Sequence, residues 1–439
     1  MSPLSQEQKI THFLNRISFG ATQEENERVG RAGISAYLEE QLHPERIPDP
    51  LVEEKLKGLK TVRLSSKELL ELYPPPQQAK AKGMEISPMQ TPRFVIFELQ
   101  QAKLLRAVYS QRQLYEVMVD FWTNHFNVFA AKGADRWLVT SYDRDTIRPH
   151  ALGKFKDLLL ATAQSPAMLF YLDNWLSVSA DAAMRPQGAN GNPSIRRGIN
   201  ENYARELMEL HTLGVDGGYT QKDVEEVARC FTGWTIRHPR GEPEFRFEPR
   251  THDRGEKIIL GTKIHEGGME DGVKVVDLLA RHSSTARFIA TKLVRRFVAD
   301  DLPSSLVTRA AEVFLQSDGD IKAVVHAIVS APEFYSPQAF GAKVKKPLEF
   351  VASALRTLGA ETDASPPLLR YLVRMGEPLF LAQPPTGFPD VGSTWVSPDM
   401  LLARMNFVAD LASNRIPGTS AKAEENLTLL LAAPEFQRR

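Results

Sequence analysis

Residues 199–234, INENYARELMELHTLGVDGGYTQKDVEEVARCFTGW, hold two carboxylates three positions apart, Glu206 and Glu209, with the carboxamide of Asn202 one helical turn before them. Paired acids divide general-acid and general-base roles when their surroundings separate their pKa values. The same pair is also a ligand set for a divalent metal. On a wheel of about 100° per residue, Leu210, Leu207, His211 and Ala204 make the buried arc. Asn202, Glu209 and Glu206 border that arc, while Glu201, Arg205 and Thr212 face water. A helix needing only solubility would set its acids opposite the apolar stripe. Their position predicts a polar pocket. It is equally met by partly buried carboxylates paired with arginines from another helix, since ion-pair networks also perturb acids. His211 lies roughly 140° from Glu206 on that wheel, so this helix alone cannot chelate an ion with both. The E-x-x-H spacing of di-iron bundles is absent.

Other candidates lie elsewhere in the chain. In FWTNHFNVF (121–129), Asn124 and His125 sit among large apolar groups. An imidazole there is costly to charge and needs a hydrogen bond, so His125 reads first as a satisfied core histidine and second as a functional group. Asp173 and Asn174 lie between aromatics in YLDNW, at a helix end, where such side chains more often make an ordinary turn than a functional site. In SYDRDTIRPHALGKF, Arg148 has two readings: it holds an anionic substrate group, or its guanidinium fork pairs with Glu206. The second is preferred. His252 and Asp253 fall at a hairpin tip in THDRGEK, able to orient a general base or to serve only as an exposed turn. Trp234, closing the Gly-Trp end of the helix after the acids, joins the substrate-contacting candidates. Lys292 and Arg296 share a helix face at i,i+4, which reads first as a solvated face and second as the basic counterpart of the acidic helix.

The elements that must position these groups read as helices. Helices are expected over 5–16, 23–42, about 94–127 and 151–163, and from about 270 to the end. Asn200 is a cap for the acidic helix, and Gly214 its left-handed stop. Thr220 with Asp223 resembles a capping box for the next helix. FRF (245–247) and KIIL (257–260) flank THDRGE in the pattern of a hairpin spanning 244–261. Pro74, Pro75 and Pro76 open a stretch to about residue 93 that reads as an extended loop or linker. Residues 177–198, with an Arg196-Arg197 pair, form a long Gly/Asn/Pro/Ser loop. The expected architecture is mainly α: two or three packed helical sub-domains with one small β-hairpin insert. The regions are 1–73, the linker 74–93, a central domain 94–300 with the polar pocket, and 301–439.

Composition narrows the function classes. The 439 residues carry 54 Lys+Arg against 54 Asp+Glu, so no net charge favours nucleic acid or an anionic membrane. The single cysteine, Cys230, leaves no internal disulfide and no cysteine-based metal cluster. No apolar run reaches the roughly 18 residues of a membrane span, and the first residues lack signal-peptide character. As given, the chain reads as soluble and cytoplasmic. It contains no P-loop, dinucleotide fingerprint, nucleophile elbow or H-E-x-x-H, and no nucleotide or haem signal.

The acidic segment, together with HFLNRISFGAT, FWTNHFNV, IRPHALGKFKDLL, SPAMLFYLDN, THDRGEKIILG, STARFIATKLVRRFV, KKPLEFVASALRTLGA and GEPLFLAQPPTGFPD, resembles the bacterial domain of unknown function 1800 over nearly the whole chain. The resemblance implies no activity. Members of that family are often exported, and their genes commonly neighbour an alkaline-phosphatase-like family, which implies a protein partner. The residues support two functions. One is a carboxylate-based or divalent-metal-assisted hydrolase acting on a glycan or other polar substrate, with Glu206, Glu209, His125 and Asp173 in catalytic roles. Asn202, Asn124, Arg148, His252, Asp253 and Trp234 would then contact substrate. The other is a non-catalytic accessory protein for a neighbouring enzyme, with the polar cluster as an ion-pair lock. Two acids on one helix lie about 5–6 Å apart at Cβ, closer than inverting glycoside hydrolysis requires.

Overall fold

Helices in this chain begin where a side chain can replace a missing partner for the first backbone N–H groups. Ser5, Thr22, Ser65 and Thr220 each open a helix with a reciprocal capping box, at Gln6–Ile17, Gln23–Ala32, Ser66–Leu72 and Gln221–Cys230. The expected one or two helices over 23–42 are two, Gln23–Ala32 and Ile34–Gln41, divided at Gly33 with φ +86°. The periodic stretch from 94 becomes Pro92–Tyr109 and Gln113–His125. The computed structural model describes residues 3–81, 83, 85, 87–183, 198–237, 241, 243–265, 267–422 and 425–439. Arg196 and Arg197 lie outside them.

The fold is mainly α-helical, about 60% helix, with sheet confined to three two-stranded antiparallel pairs among the described residues. The hairpin expected over 244–261 is re-paired. Glu244–Phe247 lies against Trp234–Arg237, with Trp234 opposite Phe247, and Lys257–Ile259 turns tightly back on Thr262–Ile264. The strands were readable, but each found a nearer partner than the other, across Leu260-Gly261 in one case. A third pair joins Glu361–Thr362 to Thr419–Ser420. The Pro-rich stretch is not wholly extended. Pro76–Ala81 is helical, because proline is tolerated in a first turn, where its missing N–H has no intrahelical partner.

Buried apolar side chains form one continuous cluster from Ile10 to Leu431, with a small satellite of Leu69, Val95 and Trp137. The amino-terminal and carboxy-terminal regions therefore pack on a shared core. Polar cross-links follow the same path. His12 Nε2 meets the Phe334 carbonyl at 2.8 Å, and buried Arg356 donates to the carbonyls of Gly20 at 2.7 Å and Val108 at 2.8 Å while pairing with Glu25. No described helix is long and apolar enough to cross a membrane.

Candidate functional site

The acidic segment starts as expected. The Asn200 side chain accepts from the Asn202 N–H at 2.9 Å, and Glu201–Glu206 is an α-helix. Leu207–Thr212 then widens into a π-helix, closed by Leu213 N–H to the Met208 carbonyl at 2.8 Å. An extra residue per turn rotates everything after Glu206, so the 100° wheel fails there. Thr212, expected in water, is fully buried and donates its hydroxyl to the Leu207 carbonyl at 2.7 Å. Leu210, expected in the core, is only half-buried. A second π-helix, Tyr142–Ile147, replaces the helix start expected near Arg148.

Glu206, at the end of the α-helix, and Glu209, on this bulge, are half-buried, and neither makes an ion pair among the described residues. Glu209 accepts a long bond, 3.4 Å, from the Tyr219 hydroxyl. Glu206 has no hydrogen-bond partner among the described residues. Burial, and then the adjacent Glu209 charge, push its carboxyl above the ordinary glutamate range, with Arg205 opposing weakly. Arg205 itself pairs with Glu201 at 3.2 Å. The expected cation partners are engaged elsewhere. Arg148 is a fork on Glu116, with one arm at 3.1 Å, and not on Glu206. Lys292 pairs with Asp390 at 2.9 Å and Arg296 with Glu349 at 3.2 Å, so neither faces the acids. Which acid an arginine reaches is a long-range matter that spacing along one helix does not encode.

Around the acids stand groups that sequence order kept apart. Burial and the Glu206 charge raise the Tyr171 phenol well above its usual range, and its hydroxyl donates to the Gln383 carbonyl at 2.7 Å. The exposed Asn202 donates to the Leu172 carbonyl at 3.2 Å, and Asn200 to that of Asp173 at 2.9 Å, so the acidic helix is clamped to the YLDNW turn. Asp173 occupies the left-handed region, φ 60°, and pairs with Lys132 at 2.9 Å. Behind Tyr171, Asp135 is fully buried with both carboxylate oxygens lacking a hydrogen bond. Burial drives its pKa well up, against the pull of Lys132. Nothing in the run KGADRWLV marked it, since only the tertiary fold buries it.

The FWTNHFN segment serves a neighbouring loop. Asn124 accepts from Phe388 N–H at 2.7 Å and donates to its carbonyl at 2.9 Å, and Asn127 donates to the carbonyls of Ala382 and Pro384. Gly387, at φ +69°, permits this approach, because a Cβ there would stand 2.5 Å from the Asn124 carbonyl oxygen. His125 is buried, with Nε2 donating to the His211 carbonyl at 3.1 Å and Nδ1 bare. Burial holds it far below the usual histidine range and lowers His211 to about 3, with Lys292 adding to both. Both imidazoles are neutral core groups, and no hydrogen bond or ion pair joins them to Glu206 or Glu209.

Three candidates lie apart from the acids. His252 is buried rather than at an exposed tip, with Nδ1 2.8 Å from the Thr232 carbonyl and Nε2 3.1 Å from Asp271. Lys257 shares that Asp271 oxygen at 2.7 Å. Asp253 is gripped by Arg229 at 2.9 and 3.1 Å. Trp234 is wholly buried against Gly272, where a Cβ would stand 2.5 Å from its ring. Cys230 is buried too, its thiol pushed up to about 12 by burial. No group of three or more His, Cys, Asp or Glu among the described residues forms a metal-ligand cluster. A cation at Glu206 and Glu209 would need carbonyls or waters to complete its shell.

The family described as "Protein of unknown function (DUF1800)" matches residues 12–438. The chain belongs to this family. No curated protein and no solved structure matches it. Two of the family's segments, FWTNHFNV and GEPLFLAQPPTGFPD, meet through Asn124, Asn127 and Phe388.

Proposed function

We propose that this protein is a hydrolase-like enzyme in which Glu206 and Glu209 act as a carboxylate pair on a polar substrate, a glycan foremost. One observation carries the reading: both acids are half-buried beside each other with no paired cation among the described residues, whereas Glu116, Asp173, Glu201 and Asp390 each have one. An ion-pair lock requires a paired cation, and no described residue supplies one. Burial, and then the neighbouring Glu209 charge, favour the protonated form of Glu206, which suits it to the acid role. In the proposed cycle Glu209 attacks the anomeric carbon while Glu206 gives its proton to the departing oxygen. Water, deprotonated by Glu206, then releases the sugar from Glu209. Tyr171 and Tyr219 line the acids, and Asn202 offers an exposed carboxamide.

The π-bulge supports the reading, because such bulges are frequent at functional sites. A divalent cation on the same two carboxylates would serve a metal-assisted version of the hydrolysis. The accessory-protein reading has the family resemblance behind it and no contact in the fold.

The experiment is turnover of a panel of aryl glycosides by the parent protein, Glu206→Gln and Glu209→Gln, with and without Mg²⁺ or Ca²⁺. Loss of about 10²–10⁴-fold in either variant is expected. Parent activity that both variants retain would contradict the assignment.

A further inference from the structure

Away from the acids, a small cavity is walled by Lys292, Arg296, Lys343, Lys346, Arg439 and Asp390. It offers about 10 Å³ to the centre of a water-sized particle, the space of one water or one monatomic ion. Five of these six polar walls are cations. Counting the charges paired to them, Asp300 on Lys343 and Glu349 on Arg296 and Arg439, leaves the cations in excess. Arg16, fully buried, adds a further positive charge against Arg296 and Arg439.

The donors there are not satisfied. Arg296 Nη1, Arg439 Nε and Nη1, and Arg16 Nε and Nη1 lack a hydrogen bond, and Arg296 Nη2 has only a poorly directed ion pair with Glu349 Oε1. All three side chains are more than nine-tenths buried. The single carboxylate oxygen Glu349 Oε1 faces Arg296 at 3.2 Å and Arg439 at 2.8 Å, too few acceptors for two guanidinium forks. Orphaned buried donors and uncompensated buried charge are each costly. Their coincidence around a cavity marks a missing acceptor of negative charge.

We propose that this cavity is a binding site for one monatomic anion, a halide of the size of chloride, held by Arg296, Arg439 and the Lys292, Lys343 and Lys346 ammonium groups. A water would fill the space but leave the charge excess. A divalent cation is excluded by the sign of the walls, and an oxyanion would have to widen them. The surrounding field is uneven: burial opposes the charge on Lys346, but Asp390, Glu377, Asp120 and Glu349 outweigh it and raise that ammonium. Burial and then Arg296 depress Arg439 to about 9, and burial lowers Lys343 to about 8, both of which a bound anion would reverse. The site gathers the helix Ser283–Phe297, residues 343–346, the loop at Asp390 and the residue Arg439, so the ion would tie together segments distant in sequence.

The test is the unfolding temperature of the full chain in sodium chloride or bromide against sodium gluconate at matched ionic strength. A saturable rise on the order of 2 °C in the halides is expected, flattened in Lys343→Gln. Crystals soaked in bromide should show an anomalous peak within reach of Arg296 and Arg439. Identical unfolding in halide and gluconate, or no bromide peak there, would overturn the site. A response confined to sulfate or phosphate would overturn the halide and make this an oxyanion site.

Discussion

At the scale of single residues, what distinguishes Glu206 is the company it lacks. A carboxyl whose pKa is raised in the fold binds its proton more tightly there than in the unfolded chain. Such a group costs stability as pH rises above the ordinary glutamate range. Glu206→Gln is therefore expected to be at least as stable as the parent at pH 7, with the gap closing toward pH 4. Urea midpoints across that range measure it. The buried histidines work in the opposite direction. His12 and His211 are lowered to about 3 and His125 is lowered far too, so all three are neutral when folded and chargeable when unfolded. Their contribution is present above the ordinary pKa near 6.5 and is lost as pH falls below it. Acidification from pH 7 to pH 4 should lower the unfolding midpoint steeply, and His211→Leu should make the fall shallower. An acid limb of the same steepness in that variant would mean that other groups dominate it. The acidic pair was legible in the sequence, because a polar flank beside an apolar stripe is a local pattern. Asp135 and Tyr171 were not, since only chain crossings bring them behind and beside Glu206. The choice of Glu116 by Arg148 was hidden for the same reason.

Among the elements, two local irregularities shape the region. The π-turn Leu207–Thr212 rotates Thr212 into the core and leaves both acids on its flank. Capping residues and periodicity foretold where this helix starts and stops. The π-turn escaped them, because no propensity separates i→i+4 from i→i+5 bonding when tertiary packing decides. The strand segments likewise kept their positions near 245 and 258 and changed partners. The second irregularity is the loop 382–390, fastened by Asn124 across Gly387. Gly387→Ala adds a Cβ at 2.5 Å from the Asn124 carbonyl oxygen in a left-handed backbone, and should cost roughly 2 kcal/mol or more. Asn124→Ala orphans the Phe388 N–H and carbonyl and should cost about 1–3 kcal/mol. Denaturant titration of both reports these losses. A neutral Gly387→Ala would contradict this close approach of the loop to Asn124.

For the whole molecule, one core and polar links such as Arg356 to Gly20 and Glu25 predict that residues 1–73 do not fold without the rest. Calorimetry should show a single cooperative transition, and a separate early transition on deleting nothing would contradict that. Global stability is also where the central claim is most exposed, because a carboxylate held for chemistry and one held for structure respond oppositely to removal. Measured at pH 7, the unfolding free energies of Glu206→Gln and Glu209→Gln should equal or exceed that of the parent. A loss on the order of 3 kcal/mol in either variant would make it a buried structural charge with a partner, and would contradict the account.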